Sequence, residues 1–298
     1  ARFAELGNKG VLMLMCDSTN VERQGFTMSE RTVGETFEEI FMNAKSRVIV
    51  ASFASNVHRI QQIINASYKF NRKVAVVGRS MVNVVNVAIE LGYLDVPEGT
   101  LIDIDHVSNY PSERITIITT GSQGEPMSAL SRMAASEHRK VEIEPGDLII
   151  ISASPIPGNE KPIIKVINEL FKKGADVIYE KLADVHVSGH ACQEELKLIH
   201  NLVKPKYFMP IHREYRHLKQ HANLANKLGM PIENIFMMET GVVLELTSST
   251  AKINGTVSSG RVLVDGLGVG DVGSIVLRDR KLLSQDGLIV VVITTEKE

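Results

Sequence analysis

The feature that most limits the fold of this chain is an alternation of short β-branched runs with amphipathic helical patterns. Runs such as RVIVA (47–51), KVAVVG (73–78), ITIITT (115–120) and LIIISA (148–153) are each followed by a segment in which apolar residues recur at helical spacing. Successive βα units place their strands in parallel and their helices on the faces of the sheet. The sequence therefore predicts an α/β fold with a largely parallel sheet flanked by helices.

Hydroxyl side chains mark the expected starts of two helices. Ser29 is the first residue of SERTVGETFEEIFMNA, whose apolar side includes Phe37, and Ser55 is the first residue of SNVHRIQQIINASYKF. Both serines can cap a helix by accepting hydrogen bonds from backbone N–H groups of its first turn. A further helix is predicted from about Glu214 to Leu228. Beyond Thr240, the runs GVVLELT, RVLVDG, SIVLRD and LIVVVIT predict short mixed or antiparallel strands without helices.

Composition narrows the class of protein. The chain has 298 residues, and 44% of them are hydrophobic, so it can bury a core. Its formal charge of −2 shows that it is not strongly basic overall, unlike a protein that binds nucleic acid through its net charge. Two cysteines far apart, Cys16 and Cys192, favour a reducing, cytoplasmic compartment over a disulfide framework. Apolar runs such as 288–293 are too short to span a bilayer. We expect no membrane segment, and we expect the chain to be a piece of a longer protein.

Small and hydroxyl-bearing residues follow the predicted strands. The strand ends read CDSTN, ASFASN, VVGRSM, TTGSQGEP, ISASPIPG and HVSGHA. Ligands of open α/β sheets bind beyond the carboxyl ends of the strands, and backbone N–H groups, hydroxyls and a cation such as Arg79 suit a phosphate. The alternative is that each serine or glycine only caps a helix or closes a turn.

Three histidines stand where strand-like runs end. They are His186 and His190 in HVSGHA and His212 in MPIHREY, and Asp17 ends a further run. Histidine at such positions serves as a metal ligand or as an acid–base group. We interpret most of the other histidines as solvated or packing residues on helices. The pattern predicts that the strand-end loops share one anion-binding crevice.

The motifs resemble those of a known family in their residues and in their order along the chain. CDSTN, SERTVGE, FASNVHRIQQ, GRSM, GSQGEP, HVSGHA and IHREYRHL resemble the ribonuclease J family of the metallo-β-lactamase superfamily. The resemblance implies a β-CASP domain inserted into a metallo-β-lactamase domain of αββα type, present here as partial segments. It assigns 1–28 to the end of the N-terminal lactamase half, 29–195 to the β-CASP domain, 196–270 to the returning lactamase segment and 271–298 to a linker towards a C-terminal domain.

The resemblance also implies roles for individual residues. Asp17 and His190 would form a hydrogen-bonded catalytic pair beside the leaving oxygen, and His212 would ligate zinc. The residues implied to bind RNA phosphate are Ser55, Asn56, Ser80, His186, Val187, Ser188, Gly189 and His190, with Arg79 as a further neighbour. A histidine at position 212 resembles the RNA-cleaving members of the superfamily.

One motif of the superfamily is missing from the 298 residues. The zinc cluster of the family begins with H-x-H-x-D-H, which the sequence does not contain. Zinc sites use three or four protein ligands, and the resemblance supplies only His212 here. The intact protein is expected to bind two zinc ions, whereas this chain alone is expected to hydrolyse little RNA.

Three functions remain open at this point. The first is RNA hydrolysis with 5′-to-3′ exonuclease and endonuclease activity in the intact protein, in rRNA processing and mRNA decay. The second is an RNA- or 5′-phosphate-binding module without catalysis. The third is a phosphate-binding α/β enzyme of another class, such as a sugar-phosphate isomerase. The resemblance implies single-stranded RNA with a 5′-monophosphate as the partner, no membrane, and a homo-oligomer when intact.

Overall fold

A computed structural model describes residues 1–270 and 273–287 of the chain. Two compact units are present: the first joins Ala1–Cys16 to the described part of Ile199–Glu298, and the second is Asp17–Leu198. Across the described ranges, no helix has both the length and the apolar character needed to cross a lipid bilayer. The fold is α/β, as predicted, whereas the domain boundaries stay a prediction.

Helices and strands follow one another along most of the chain. The α-helices are α1 (Arg2–Lys9), α2 (Glu30–Asn43), α3 (Val57–Lys69), α4 (Arg79–Glu90), α5 (Ala129–Ala134), α6 (Glu160–Lys172), α7 (Gln193–Val203), α8 (Tyr215–Lys227) and α9 (Ser274–Asp286). The strands are β1 (Met13–Asp17), β2 (Val48–Ala51), β3 (Lys73–Val77), β4 (Ile115–Thr119), β5 (Leu148–Ile151), β6 (Asp176–Ile178), β7 (Tyr207–Ile211), β8 (Val242–Leu246), β9 (Ala251–Thr256), β10 (Val264–Asp265) and β11 (Gly268–Val269). Short 3₁₀ segments occupy Ile104–Asn109, Ser112–Arg114 and Ile232–Asn234.

The second unit is built on a five-stranded sheet in the order β3-β4-β2-β5-β6. Every neighbouring pair in this sheet is parallel, which confirms the predicted architecture. Because the strands run the same way, their carboxyl ends all meet at one edge. The loops that follow β2, β3 and β6 therefore start from the same edge of the sheet.

Both faces of this sheet are buried, which explains the unbroken apolar runs in its strands. Val48 and Val50 of β2 pack in a cluster with side chains of α2, α3 and α4, whereas Ile49 and Ala51 pack in a second cluster with side chains of α5 and α6. All four residues of β2 are 0% exposed. A strand covered on both faces reads as a continuous apolar run instead of an alternating one.

Two of the predicted strands lie outside this sheet. β1 and β7 form a separate two-stranded sheet, although the βα alternation predicted them as further members of one largely parallel sheet. Apolar periodicity reports that a segment is a buried strand, but it does not report the neighbour with which the strand pairs. Pairing depends on contacts between residues that are distant in sequence.

The C-terminal part of the first unit agrees only in part with the prediction. β8 and β9 form an antiparallel pair, as expected for GVVLELT. The SIVLRD run was predicted as a strand and begins α9 instead. Leucine, arginine, lysine and glutamine dominate the LRDRKLLSQ stretch, and these residues favour helices over strands. The LIVVVIT run and most of the predicted linker 271–298 lie outside the described residues.

His200, a buried histidine of the first unit, makes the stability of this unit dependent on pH. His200 of α7 and His221 of α8 face each other with their Nε2 atoms 3.3 Å apart, and the ring of Phe208 packs against both. Burial lowers the pKa of His200 to about 4. The unfolded chain therefore binds a proton between pH 4 and about 6.5 that the folded chain does not bind.

We expect the free energy of unfolding to fall by about 1 kcal/mol per pH unit as the pH decreases from 6.5 towards 4. Above pH 6.5 the His200 contribution is complete, because the imidazole is neutral in both states. Urea unfolding at several pH values measures this slope. The His200→Gln variant should have a flatter slope over the same range, and an unchanged slope would contradict the assignment.

Candidate active site

Asp17 and His190, the predicted catalytic pair, are hydrogen-bonded to each other in the second unit. His190 Nδ1 lies 2.9 Å from Asp17 Oδ2. An ionised carboxylate can only accept, so Nδ1 is the donor and the lone pair of the neutral ring is on Nε2. A carboxylate that fixes the tautomer in this way makes Nε2 the ring atom that exchanges a proton. The pair therefore has the geometry of an acid–base group.

Opposing effects set the pKa of Asp17. Partial burial raises it, but the backbone N–H of Thr19 and the ring of His190 outweigh burial, so the pKa is below its ordinary value. The Thr19 N–H lies 2.6 Å from Oδ1. Asp17 is therefore ionised at neutral pH, and the ionised carboxylate is the form that orients His190.

The loop that carries His190 is held by side chains from an earlier part of the second unit. Asn20 Nδ2 donates to the Ser188 hydroxyl oxygen and to the His190 carbonyl, both at 2.9 Å. Thr27 Oγ1 lies 2.9 Å from the same carbonyl and 2.7 Å from the carboxylate of Glu195. These contacts were not predicted from the sequence, although Asn20 is the last residue of the CDSTN motif.

Ser188 is oriented to donate a hydrogen bond. Its oxygen accepts from Asn20 Nδ2 and from the backbone N–H of His190, the latter at 3.2 Å. A hydroxyl that already accepts twice keeps its one hydrogen for another acceptor. This arrangement suits a phosphate oxygen, because a phosphate oxygen only accepts.

His186 begins the same loop and is more deeply buried. Burial, followed by the positive charge of Arg59, lowers the pKa of His186 below its ordinary value. Its Nδ1 is buried and has no hydrogen-bond partner among the residues that the structure describes. At neutral pH the ring is uncharged, so His186 offers a hydrogen bond to a ligand and not a full positive charge.

Val187 and Gly189 contribute in other ways to this loop. The side chain of Val187 is partly buried and packs against the core that α2, α3 and α4 cover. Gly189 is exposed, and a Cβ there would meet nothing within 4 Å. A substitution at Gly189 would therefore place a side chain into open space.

The loop after β2 differs from the prediction at the start of α3. Asn56, and not Ser55, is the N-cap: its Oδ1 accepts from the backbone N–H of Arg59 at 3.1 Å. Ser29 does cap α2, as predicted. Asparagine and serine are comparably good caps, so the sequence alone did not decide between the adjacent residues 55 and 56. Ser55 is exposed beside this helix start.

Ser80 lies in the first turn of α4, directly after β3. Gly78 is the N-cap residue directly before the helix; it has φ of 100° and no side chain to cap the first turn. A Cβ at Gly78 would lie 2.7 Å from the Thr120 hydroxyl oxygen, so glycine is required by both space and conformation. Arg79 and Ser80 are exposed at this end of the helix.

Arg59 is a fully buried polar residue that contacts the start of the loop, and this contact was not predicted from the sequence. Its Nη1 donates to the carbonyl of Val185, directly before His186, at 2.9 Å. The available signal was a charged residue between Val57 and Ile60 on the apolar side of a predicted helix.

His212, the predicted zinc ligand, belongs to the first unit. It directly follows β7 and is exposed, with φ of 63°, and Arg213 after it has φ of 93°. Two consecutive non-glycine residues at positive φ are uncommon, and such conformations concentrate at functional sites. The backbone of this turn supports a functional role for the IHRE segment.

These residues do not complete the zinc site that the resemblance implies. Carboxylate and imidazole are both ligand types that zinc accepts, but a zinc site uses three or four protein ligands. The resemblance assigns His212 alone to this role, and the sequence lacks the H-x-H-x-D-H motif that would supply others. No reaction step is therefore assigned to a metal here.

Two family profiles match adjacent parts of the chain. Residues 45–170 match the family described as "Ribonuclease J, beta-CASP domain". Residues 174–238 match the family described as "Zn-dependent metallo-hydrolase RNA specificity domain". The second match supports the use of a metal by this protein family.

Curated relatives match over almost the whole chain. Ribonuclease J 1 of Streptococcus pyogenes is 50% identical over 295 residues, and Ribonuclease J2 of Bacillus subtilis is 48% identical over 296; each alignment covers 99% of this chain and 53% of the relative. Ribonuclease J of Helicobacter pylori is 45% identical, with 99% of this chain and 43% of the relative covered. The chain spans about half the length of these relatives. With these matches to its profiles and to its relatives, the chain belongs to the ribonuclease J family of the metallo-β-lactamase superfamily.

Proposed function

We propose that this chain provides the RNA-binding and acid–base part of a zinc-dependent ribonuclease that hydrolyses RNA phosphodiester bonds. The observation that carries the proposal is that one loop, 186–190, holds both a hydroxyl oriented to donate to a phosphate and an imidazole oriented by a carboxylate. The names of the relatives support RNA as the substrate. In the intact protein the activity is 5′-to-3′ exonuclease and endonuclease cleavage, in rRNA processing and mRNA decay.

The acid–base role follows from the tautomer of His190. Cleavage of a phosphodiester bond leaves an alkoxide, which departs more easily when it takes up a proton. Asp17 stabilises the protonated imidazole of His190, and Nε2 then gives its proton to the leaving oxygen. The proposal includes two zinc ions, of which His212 would supply one ligand. The remaining ligands would come from residues outside the motifs named above.

The second candidate is a module that binds RNA by its 5′-phosphate and performs no reaction. The missing H-x-H-x-D-H motif favours this function for the 298 residues taken alone. Both candidates share the same phosphate contacts. The sugar-phosphate isomerase hypothesis is dropped, because the relatives named above are ribonucleases.

The phosphate contacts are tested by replacing His186 and Ser188 with alanine in one variant. We expect the preference for 5′-phosphorylated over 5′-hydroxyl single-stranded RNA to fall by about 10²- to 10⁴-fold, since two hydrogen bonds to a charged group are lost and each contributes about 1.5–3 kcal/mol. Fluorescence anisotropy with two labelled RNAs that differ only at the 5′ end measures this preference.

A matched control exists in the exposed 3₁₀ segment Ile104–Asn109. His106 and Ser108 have the same two-residue spacing and are both exposed. The double variant His106→Ala, Ser108→Ala should keep the wild-type preference. An unchanged preference in the His186, Ser188 variant would remove the phosphate site from the proposal.

Other features of the intact protein remain proposals. The domain boundaries 1–28, 29–195, 196–270 and 271–298 follow the resemblance. A reducing, cytoplasmic compartment stays a proposal that rests on the wide spacing of Cys16 and Cys192 in the sequence. The preference for a 5′-monophosphate on single-stranded RNA is tested by the experiment above, and a homo-oligomer stays a prediction.

A further inference from the structure

Arg59 is a fully buried cation in α3 whose guanidinium joins three parts of the second unit. Its Nε and Nη2 donate to the two carboxylate oxygens of Glu30, at 2.5 and 2.9 Å. Its Nη1 donates to the Ser152 hydroxyl oxygen at 2.5 Å and to the Val185 carbonyl at 2.9 Å. Arg59 thus connects the first residue of α2, the residue after β5 and the residue before His186.

The Val185 carbonyl receives a second donor. The hydroxyl of Ser152 lies 2.6 Å from it and itself accepts from Arg59. The side chain of Val185 is 0% exposed and packs in the core that α2, α3 and α4 cover. The backbone at which the 186–190 segment begins is therefore fixed by two hydrogen bonds and by apolar packing.

The opposite end of the same segment is fixed independently. Asn20 holds Ser188 and the His190 carbonyl from the loop after β1. A segment held at both ends loses little conformational entropy when it binds a ligand, and hydrogen bonds that fix a site in advance improve its affinity. The residues between the two anchors are those proposed to contact phosphate.

Stability alone is a poor reason for a buried arginine in this place. The Arg59 side chain is 0% exposed, and its carboxylate partner Glu30 is 32% exposed. Removing two charges from water offsets much of the attraction between them, so apolar residues of similar volume often stabilise a core as well. A guanidinium adds what an apolar side chain lacks, namely several donors in a fixed plane.

We propose that Arg59 is a positioning residue for the 186–190 segment: through the Val185 carbonyl it sets the backbone from which His186 and Ser188 contact the 5′-phosphate of RNA. Arg59 is enclosed by protein and acts through Val185, not by contact with the ligand. The part of this inference that concerns phosphate rests on the proposed function, whereas the fixing of the segment does not.

The conservative variant Arg59→Lys separates geometry from charge. Lysine keeps the positive charge but has one nitrogen, which cannot reach Glu30 in a bidentate manner and the Val185 carbonyl at the same time. We expect the amides of residues 186–190 to exchange their hydrogens about tenfold faster, as local opening becomes easier. Hydrogen exchange followed by mass spectrometry on the full chain measures this rate without RNA.

The second measurement is the ratio of affinities for 5′-phosphorylated and 5′-hydroxyl single-stranded RNA. We expect Arg59→Lys to lower this ratio about tenfold, the equivalent of one lost hydrogen bond to a charged group. Affinity for the 5′-hydroxyl RNA should stay close to the wild-type value. A role confined to general stability would leave the ratio unchanged.

Arg47 provides a matched control in the same unit. It directly precedes β2, at the opposite edge of the sheet, and its buried guanidinium binds Asp147 and the Glu142 carbonyl. Arg47→Lys should therefore lower stability but leave both the exchange of residues 186–190 and the RNA ratio unchanged. Equal effects of the two variants on the segment would overturn the inference.

A milder variant covers the case in which Arg59→Lys does not fold. Ser152→Ala removes the second donor to the Val185 carbonyl. As in Arg59→Lys, the amides of residues 186–190 should exchange faster and the RNA affinity ratio should fall, but by a smaller factor. Ser67→Ala is its control, because Ser67 is equally buried and donates within α3 to the Ile63 carbonyl.

The outcomes are distinct. Unchanged exchange of residues 186–190 in Arg59→Lys and Ser152→Ala overturns the inference, and so does faster exchange with an intact RNA ratio. If wild-type RNA binding shows no preference for a 5′-phosphate, the proposed function fails. In that case, hydrogen exchange of residues 186–190 alone tests whether Arg59 fixes the segment.

Discussion

Replacing His190 with alanine is expected to lower the rate of RNA hydrolysis by about 10²–10⁴-fold, the usual contribution of a general acid or base. The reason is that Asp17 and His190 form the one carboxylate–imidazole pair proposed to protonate the leaving oxygen, with Nδ1 and Oδ2 2.9 Å apart. The rate is measured with this chain joined to, or mixed with, a segment that carries the H-x-H-x-D-H motif.

The backbone of the 186–190 loop should stay in place in the same variant, because Asn20 contacts the backbone carbonyl and not the ring of residue 190. His106→Ala serves as the control, since His106 is exposed in the 3₁₀ segment Ile104–Asn109. A His190→Ala protein that cleaves RNA within about threefold of the wild-type rate would rule out the acid–base role.

Replacing Asp147 with asparagine is expected to destabilise the second unit by about 3–5 kcal/mol, the typical cost of breaking a buried ion pair from one side. The Asp147 side chain is 3% exposed and the Arg47 side chain 10%. Its two oxygens accept from Arg47 at 3.0 and 2.5 Å, and one also accepts from the Glu144 backbone N–H. Asparagine offers one acceptor oxygen and turns an amide N–H₂ towards guanidinium donors.

Urea unfolding compares this variant with Asp105→Asn, which removes an exposed carboxylate that pairs with Lys140. The side chains of that pair are 63% and 51% exposed, so water screens their attraction and the control should keep nearly the wild-type stability. Equal stability losses in the two variants would show that burial of the Arg47–Asp147 pair does not matter.

The strands of the second unit were the most predictable part of the fold. RVIVA and ITIITT were recognised because β-branched residues in unbroken runs indicate strands buried on both faces, and the structure buries Val48–Ala51 completely. Helix boundaries were less certain at the level of single residues, as the shift of the α3 cap from Ser55 to Asn56 shows. The strand prediction for the SIVLRD run was wrong because a six-residue apolar pattern does not distinguish a strand from the first turns of a helix.

The candidate site was predictable only as a set of residue types. Asp17 and His190 are 173 positions apart, and their contact required the family resemblance for its prediction and the folded chain for its geometry. Arg59 had no comparable signal, because a charged residue near an apolar helix face is usually solvated. Its partners Glu30, Ser152 and Val185 come from three separate segments.

The amino-acid sequence alone determined the class of the fold, the strands of its main sheet and the motifs that mark the family. These properties depend on residue type and on local spacing, both of which can be read directly from the sequence. Tertiary structure decided that β1 pairs with β7, that Asp17 orients His190, and that Arg59 holds the 186–190 segment. Each of these contacts joins residues far apart in sequence, and local periodicity carries no information about the partner of such a contact.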